Sequence, residues 1–292
     1  MNSRQQAPPL VAEDLGKRYP RGWALQGCSL TIPGHRVVAL VGPNGAGKTT
    51  LMSLATGMLK PTTGQLRIFG EQPDGRGSHP GLSFLGQQKP LYPSLTVADT
   101  LRLGQQMNTT WDQRYAERLI TEANVPLKAR VGTLSGGQRT RVAVAVTLGK
   151  RPRLILLDEP LADLDPLARQ DTVRTLMTEA AEHGITIVLS SHVVAELQGV
   201  CDHLVLLGAG KVQLAGDIDL LLAEHVQLTG PAHDRLPING VVEVMDLRNG
   251  LIQILARTHA PPVPAAWTVN KPTVEDLVLA YMRFGSRQAV SA

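Results

Sequence analysis

An α/β domain, built on a mostly parallel sheet covered by helices on both faces and followed by a small α+β appendage, is the architecture this sequence predicts. Three observations predict it. Four short runs, 37–41, 154–157, 185–189 and 204–207, are almost wholly apolar, the pattern of strands buried on both faces. Segments with helical spacing of apolar residues lie between them, as parallel crossovers require. The chain has 292 residues, 43% hydrophobic and 18% charged, which suits one large core plus an appendage and is far from the composition of disorder.

The elements follow in order. Residues 10–16 and 25–32 alternate apolar and polar positions and read as two strands, the second closed by the Pro33-Gly34 turn. The run 37–41 is the first buried strand, and 42–48 a Gly-rich loop. Residues 49–58 read as a helix, punctuated by Gly57 and Pro61. Further strands are expected at 66–69 and 82–85. Residues 96–128 carry Gln, Arg and Leu at helical spacing and read as a helical insert, continued by a helix over 135–148. After the strand 154–157 come an amphipathic helix over 167–183, the strand 185–189, a short helix over 193–199 and the strand 204–207. Beyond Gly216 prolines gather, strand-like runs appear at 241–247 and 251–256, and 273–282 closes as a helix. The expected division is a domain over 1–216, with its helical insert at about 96–148, and a small α+β appendage over 217–292.

Composition narrows the partners. The net charge of +4 is small and spread along the chain; it suits an anionic ligand or membrane surface and demands neither. Aromatics, at 3%, are too few for a platform that stacks single-stranded bases, so no nucleic acid is expected. Cys28 and Cys201 stand far apart without zinc-ligand spacing, which fits a reducing compartment. The N-terminus lacks an apolar signal core, and no apolar run reaches the ~18 residues of a membrane span. The expectation is a soluble cytoplasmic protein that reaches a membrane only through a partner.

The chemistry starts at Gly42-Pro43-Asn44-Gly45-Ala46-Gly47-Lys48-Thr49, which fits GxxxxGK[ST] between a buried strand and a helix. Glycines let backbone N–H groups turn inward around phosphate oxygens, and the helix adds its positive end. Lys48 supplies charge to the β- and γ-phosphates; the Thr49 hydroxyl is placed to ligate Mg²⁺. Alone, this loop says only nucleoside triphosphate.

Four further features sharpen it. Leu134-Ser135-Gly136-Gly137-Gln138 opens a helix and makes a second anion site, best explained as serving the nucleotide of a partner chain. The strand 154–157 delivers Asp158 and Glu159 at its carboxyl end, where α/β sheets bind ligands. Asp158 suits Mg²⁺, and Glu159 suits a general base beside the γ-phosphate, although adjacent acids can also simply end a strand at the surface. His192 follows the next buried strand, placed for a γ-phosphate contact, and a lone His is often structural. Gln87, with Gln88 as a rival, follows the strand 82–85; an amide there can ligate Mg²⁺ or hold the attacking water.

Taken together, residues 10–215 resemble the ABC ATPase family, the nucleotide-binding subunits of ABC transporters. The motifs at 42–49, Gln87, 134–138, 158–159, Asp165 and His192 keep that family's order. The resemblance implies a P-loop NTPase fold with a mixed sheet and a helical subdomain. It implies that Tyr19 stacks on adenine, that Thr50 adds a phosphate contact, and that Asp165 belongs to a loop linking two nucleotide sites across a dimer. Asp163 stands where the family usually has a small residue. The implied function is ATP hydrolysis between two subunits, homomeric or heteromeric, driving transport through a separate membrane permease on the inner face of the membrane. The segment 271–281 resembles the closing segment of exporter-type subunits, so export is the expected direction. The alternatives are a soluble ABC ATPase of translation or DNA repair, against which stand the single cassette and the lack of a heptad run, and a non-hydrolysing binding module, against which stand Glu159 and His192.

Overall fold

In the computed structural model of the chain, residues 7–75, 77–162, 164–197, 199–233, 236–258 and 263–290 are described. Asp163 lies outside them. The elements run β1 (Leu10–Tyr19), β2 (Gly22–Ile32), β3 (Val37–Val41), α1 (Lys48–Ala55), β4 (Thr63–Ile68), β5 (Leu82–Leu85), α2 (Val97–Met107), α3 (Gln113–Glu122), α4 (Gly136–Gly149), β6 (Leu154–Leu157), α5 (Pro166–His183), β7 (Thr186–Ser191), β8 (His203–Gly208) and β9 (Lys211–Asp217). They continue with α6 (Ile218–Ala223), β10 (His225–Pro231), β11 (Val241–Asp246), β12 (Leu251–Arg257), β13 (Thr268–Asn270) and α7 (Val274–Val290).

Three sheets result. The central one has six strands in the order β5-β6-β7-β3-β8-β9, parallel except for the antiparallel β8–β9 pair. A three-stranded antiparallel sheet, β2-β1-β4, and a four-stranded one, β11-β12-β10-β13, flank it. The apolar runs of the central strands have a direct cause. Val38, Leu40, Leu154 and Leu156 point into a core shared with β1, β2, β4 and α1. Their neighbours Val37, Ala39, Val41, Ile155 and Leu157 point into a second core, shared with α2 to α5.

Local signals place the helices. Thr96 and Asp99 close a capping box at α2, and Ser135 and Gln138 one at α4. Asp165 caps α5, Pro166 occupies its first position, and left-handed Gly184 ends it. The Trp111 ring lies over Gly104 of α2 and Gly149 of α4, where an added Cβ would come within 2.5 and 2.7 Å of it.

The C-terminal segment packs on the body. Leu228, Ile254, Ala256 and Trp267 form a small core of their own. Leu255, with Leu277, Val278 and Ala280 of α7, joins the main core instead. α7 lies against β8 and β9. His225 fastens it: Nδ1–H donates to the Leu221 carbonyl (2.7 Å), and Nε2 accepts from the Tyr281 hydroxyl (2.9 Å).

Several expectations need correction. The first two strands extend to Tyr19 and start from Gly22, because the residues between form a tight hairpin turn. The helix expected over 193–199 is a single 3-10 turn, Val194–Glu196. α1 stops at Ala55, where left-handed Gly57 turns the chain. β9, β10, β13 and α6 were not expected at all.

Candidate active site

The loops leaving β3, β5, β6 and β7 converge at one edge of the central sheet. Gly42 and Gly47 have φ of 153° and 105°. A Cβ on Gly42 would lie 2.3 Å from the Leu207 carbonyl, and one on Gly47 2.7 Å from that of Ala24, so both positions require glycine. α1 has no side-chain cap, which leaves its first N–H groups for an anion. Lys48 is buried and folds over the loop, donating to the carbonyls of Gly42 (2.7 Å) and Pro43 (3.2 Å). Burial holds its pKa below the ordinary lysine range, while the nearby charges of Glu159 and Asp158 pull it back up.

The next group is a hydrogen-bonded chain built around the buried Asp158 and Ser190. The Thr49 hydroxyl donates to Asp158 Oδ2 at 2.7 Å. Asp158, 2% exposed, accepts on Oδ1 from the Ser190 hydroxyl, also at 2.7 Å. The Ser190 oxygen in turn accepts from the Glu159 backbone N–H at 2.9 Å. Glu159 has a φ of 48°, the left-handed region that glutamate rarely enters. Its carboxylate is held from two sides. Gln87 Nε2 donates to Oε2 and His192 Nδ1–H to Oε1, each at 3.1 Å.

Lys48, Thr49, Gln87, Glu159 and His192 line one cavity of about 540 Å³, together with residues 44–47, Thr50 and Ala24; Asp158 and Ser190 are not in its wall and sit behind Thr49 and Glu159. Gln88 is not in its wall, so the geometry singles out Gln87. A larger hollow, about 590 Å³, opens at the opposite edge near Pro9, Phe69 and Arg153 and contains none of these side chains.

Other expected residues lie elsewhere. Ser135 and Gly136 are exposed at the start of α4, outside the cavity. Gly137 is near Asp165: its Cβ would lie 4.0 Å from Asp165 Oδ2. Gln138 is spent on the capping box, accepting from the Ser135 N–H at 3.0 Å. Tyr19 is 39% exposed at the β1–β2 turn, beneath the Lys17 ammonium, and does not line the cavity.

A model of the ABC transporter family matches residues 25–162. The lipopolysaccharide export system ATP-binding protein LptB of Haemophilus influenzae is 35% identical over 217 residues, which cover 71% of this chain and 90% of that protein. The chain belongs to the ABC transporter ATP-binding family. The thiamine import ATP-binding protein ThiQ of Vibrio parahaemolyticus is also 35% identical, over 226 residues covering 75% and 96%. Among solved structures, cbiO1 from Clostridium perfringens, part of the ABC transporter complex cbiONQ, is 28% identical with a TM-score of 0.65, covering 75% of this chain and 92% of that one.

The protein is therefore an ATP-hydrolysing ABC subunit. One of the two relatives is named for export and the other for import, so the expectation of export draws no support from them. Among the described residues no helix is long and apolar enough to cross a membrane. Sequence reading missed Ser190, which bonds the Asp158 carboxylate and the Glu159 backbone N–H. The available signal was two consecutive serines ending an otherwise apolar strand just before His192.

Proposed function

We propose that this ABC subunit hydrolyses ATP with Glu159 as general base, inside a site completed by a second cassette. The observation that carries the reading is the position of Glu159: its carboxylate lines the cavity of the phosphate loop and is gripped by Gln87 and His192. A carboxylate so fixed is oriented to take a proton from water beside the γ-phosphate. Lys48 moves from its carbonyls to the β- and γ-phosphates, Thr50 adds a contact, and the open N–H groups of the loop cradle the oxygens.

Thr49 and Asp158 form a pair of hard oxygen donors, which fits Mg²⁺. Mg²⁺, when bound there, neutralises phosphate charge; Gln87 is the third candidate ligand. The exposed Ser135 and Gly136, the half-buried Gly137 and the adjacent Asp165 do not line the chain's own phosphate loop cavity. In our reading they close over the nucleotide of the partner cassette, homomeric or heteromeric. Tyr19 remains the proposed adenine contact, brought in by nucleotide. Closure and reopening drive a separate membrane permease, with the subunit held at the inner membrane face. The relation to a member of the cbiONQ complex and to two transport-system subunits supports this role.

The test is Glu159→Gln. It keeps the hydrogen-bonding shape and removes the base. Steady-state ATPase activity is expected to fall between about a hundred- and ten-thousandfold, with ATP affinity retained in calorimetry. An unaltered rate would remove Glu159 from this role.

A further inference from the structure

Arg169 and Glu196 have no part in the chemistry above, yet they meet behind it. Arg169 lies one turn into α5, and its backbone N–H closes on the Asp165 carbonyl at 2.9 Å. Its Nη2 reaches Glu196 Oε1 at 3.0 Å. Glu196 is mostly buried, its side chain 13% exposed. Its other oxygen, Oε2, accepts from the Ser191 hydroxyl at 3.0 Å. The Ser191 oxygen also accepts from the Val193 N–H at 2.9 Å. The residues on both sides of His192 are thereby pinned by one hydroxyl, and that hydroxyl is tied through Glu196 to the helix that begins at Asp165.

We infer that Arg169, Glu196 and Ser191 form a positioning clamp that sets the His192 ring against Glu159 according to where the Asp165 loop stands. The clamp rests on the reading above, in which His192 serves hydrolysis and Asp165 faces the partner cassette. Its physical basis is stiffness. A charge-assisted pair whose carboxylate is largely withdrawn from water, although the Arg169 side chain is 37% exposed, together with a hydroxyl bond to that carboxylate, resists independent movement of the two loops better than fully exposed contacts do. A shift of Asp165 on closure therefore carries His192 with it. None of the three side chains lines the phosphate loop cavity, so they are positioning residues, not catalytic ones.

The test is a double-mutant cycle on the full chain. Arg169→Ala is expected to lower ATPase kcat between about ten- and a hundredfold, as small misplacements do, while KM for ATP and the melting temperature stay within about twofold and a few degrees. Arg169→Lys restores part of the rate. In a His192→Ala background the same Arg169→Ala change costs nothing more, because the clamp acts only through that ring. The His192 ring-proton NMR signal, assigned by its loss in His192→Ala, shifts in Arg169→Ala. If the kcat losses of the two changes multiply independently, or if Arg169→Ala leaves kcat untouched while His192→Ala lowers it, the clamp is wrong and the reading of His192 survives. If His192→Ala leaves the rate intact, both fall. Should Arg169→Ala not fold, Glu196→Gln, which keeps the Ser191 bond and weakens only the ion pair, enters the same cycle with the same expected outcomes.

Discussion

Ser190 shows how one small side chain can tie a carboxylate to the backbone of the residue that follows it. It donates to Asp158 and accepts from the Glu159 N–H, inside a region closed to water. Ser190→Ala leaves a buried carboxylate oxygen and a buried N–H short of a partner. Unfolding stability in urea is expected to fall by about 1–3 kcal/mol, with a lower kcat. A change below about 0.5 kcal/mol would show that the network relaxes around the loss. Lys48, Asp158, Glu159 and His192 could be singled out in the sequence because each stands on the loop or turn that follows a buried strand, a local signal. Ser190 and Arg169 could not. Their meaning lies in contacts across 32 residues in one case and across two elements in the other. Tyr19 was read from resemblance alone, and the contacts it makes here are with Lys17, outside the cavity.

Among the elements, strands buried on both faces were found where expected, since burial leaves them no polar positions. The edges were harder. β9 carries Gly216 and Lys211, β10 ends at Gly230-Pro231, and β13 has three residues; pairing, not pattern, makes them strands. α6 has six residues and is fixed by its Asp217 cap and by what packs on it. Between α6, β10 and α7 sits His225. Burial pushes its pKa below the ordinary imidazole value, against the pull of its bond to the Leu221 carbonyl; burial does the same for His203. The unfolded chain therefore binds more protons than the folded one below that value. These two groups destabilise nothing above about pH 6.5 and weaken the fold progressively as pH falls beneath it. Melting temperatures measured from about pH 7.5 to about pH 5.5 should decline, and His225→Asn should show a shallower decline. An equal slope in the variant would clear His225 of the effect.

At the scale of the molecule, the C-terminal segment belongs to the same core as the nucleotide-binding body. Leu255, Leu277, Val278 and Ala280 are each 5% exposed or less and pack into the cluster that holds Val37 and Ile187. Each large apolar side chain left bare costs about 1.5–3 kcal/mol. A chain ended after Asp217 is thus expected to lose most of its stability and to aggregate, measured by the soluble fraction and by thermal melting. If the truncated chain melted within a few degrees of the full one, the shared core would contribute little. The sequence suggested a small appendage because prolines and strand-like runs gather there. It could not show that α7 returns to lie on β8, two strands from the sheet's middle.

The backbone at Glu159 has a history written into it. With φ at 48°, this position would be more comfortable as glycine or asparagine by about 1 kcal/mol. A lineage that no longer needed turnover would drift toward those residues and gain robustness as it did so. Glutamate at such a bend is what a trade of durability for work looks like in a single chain.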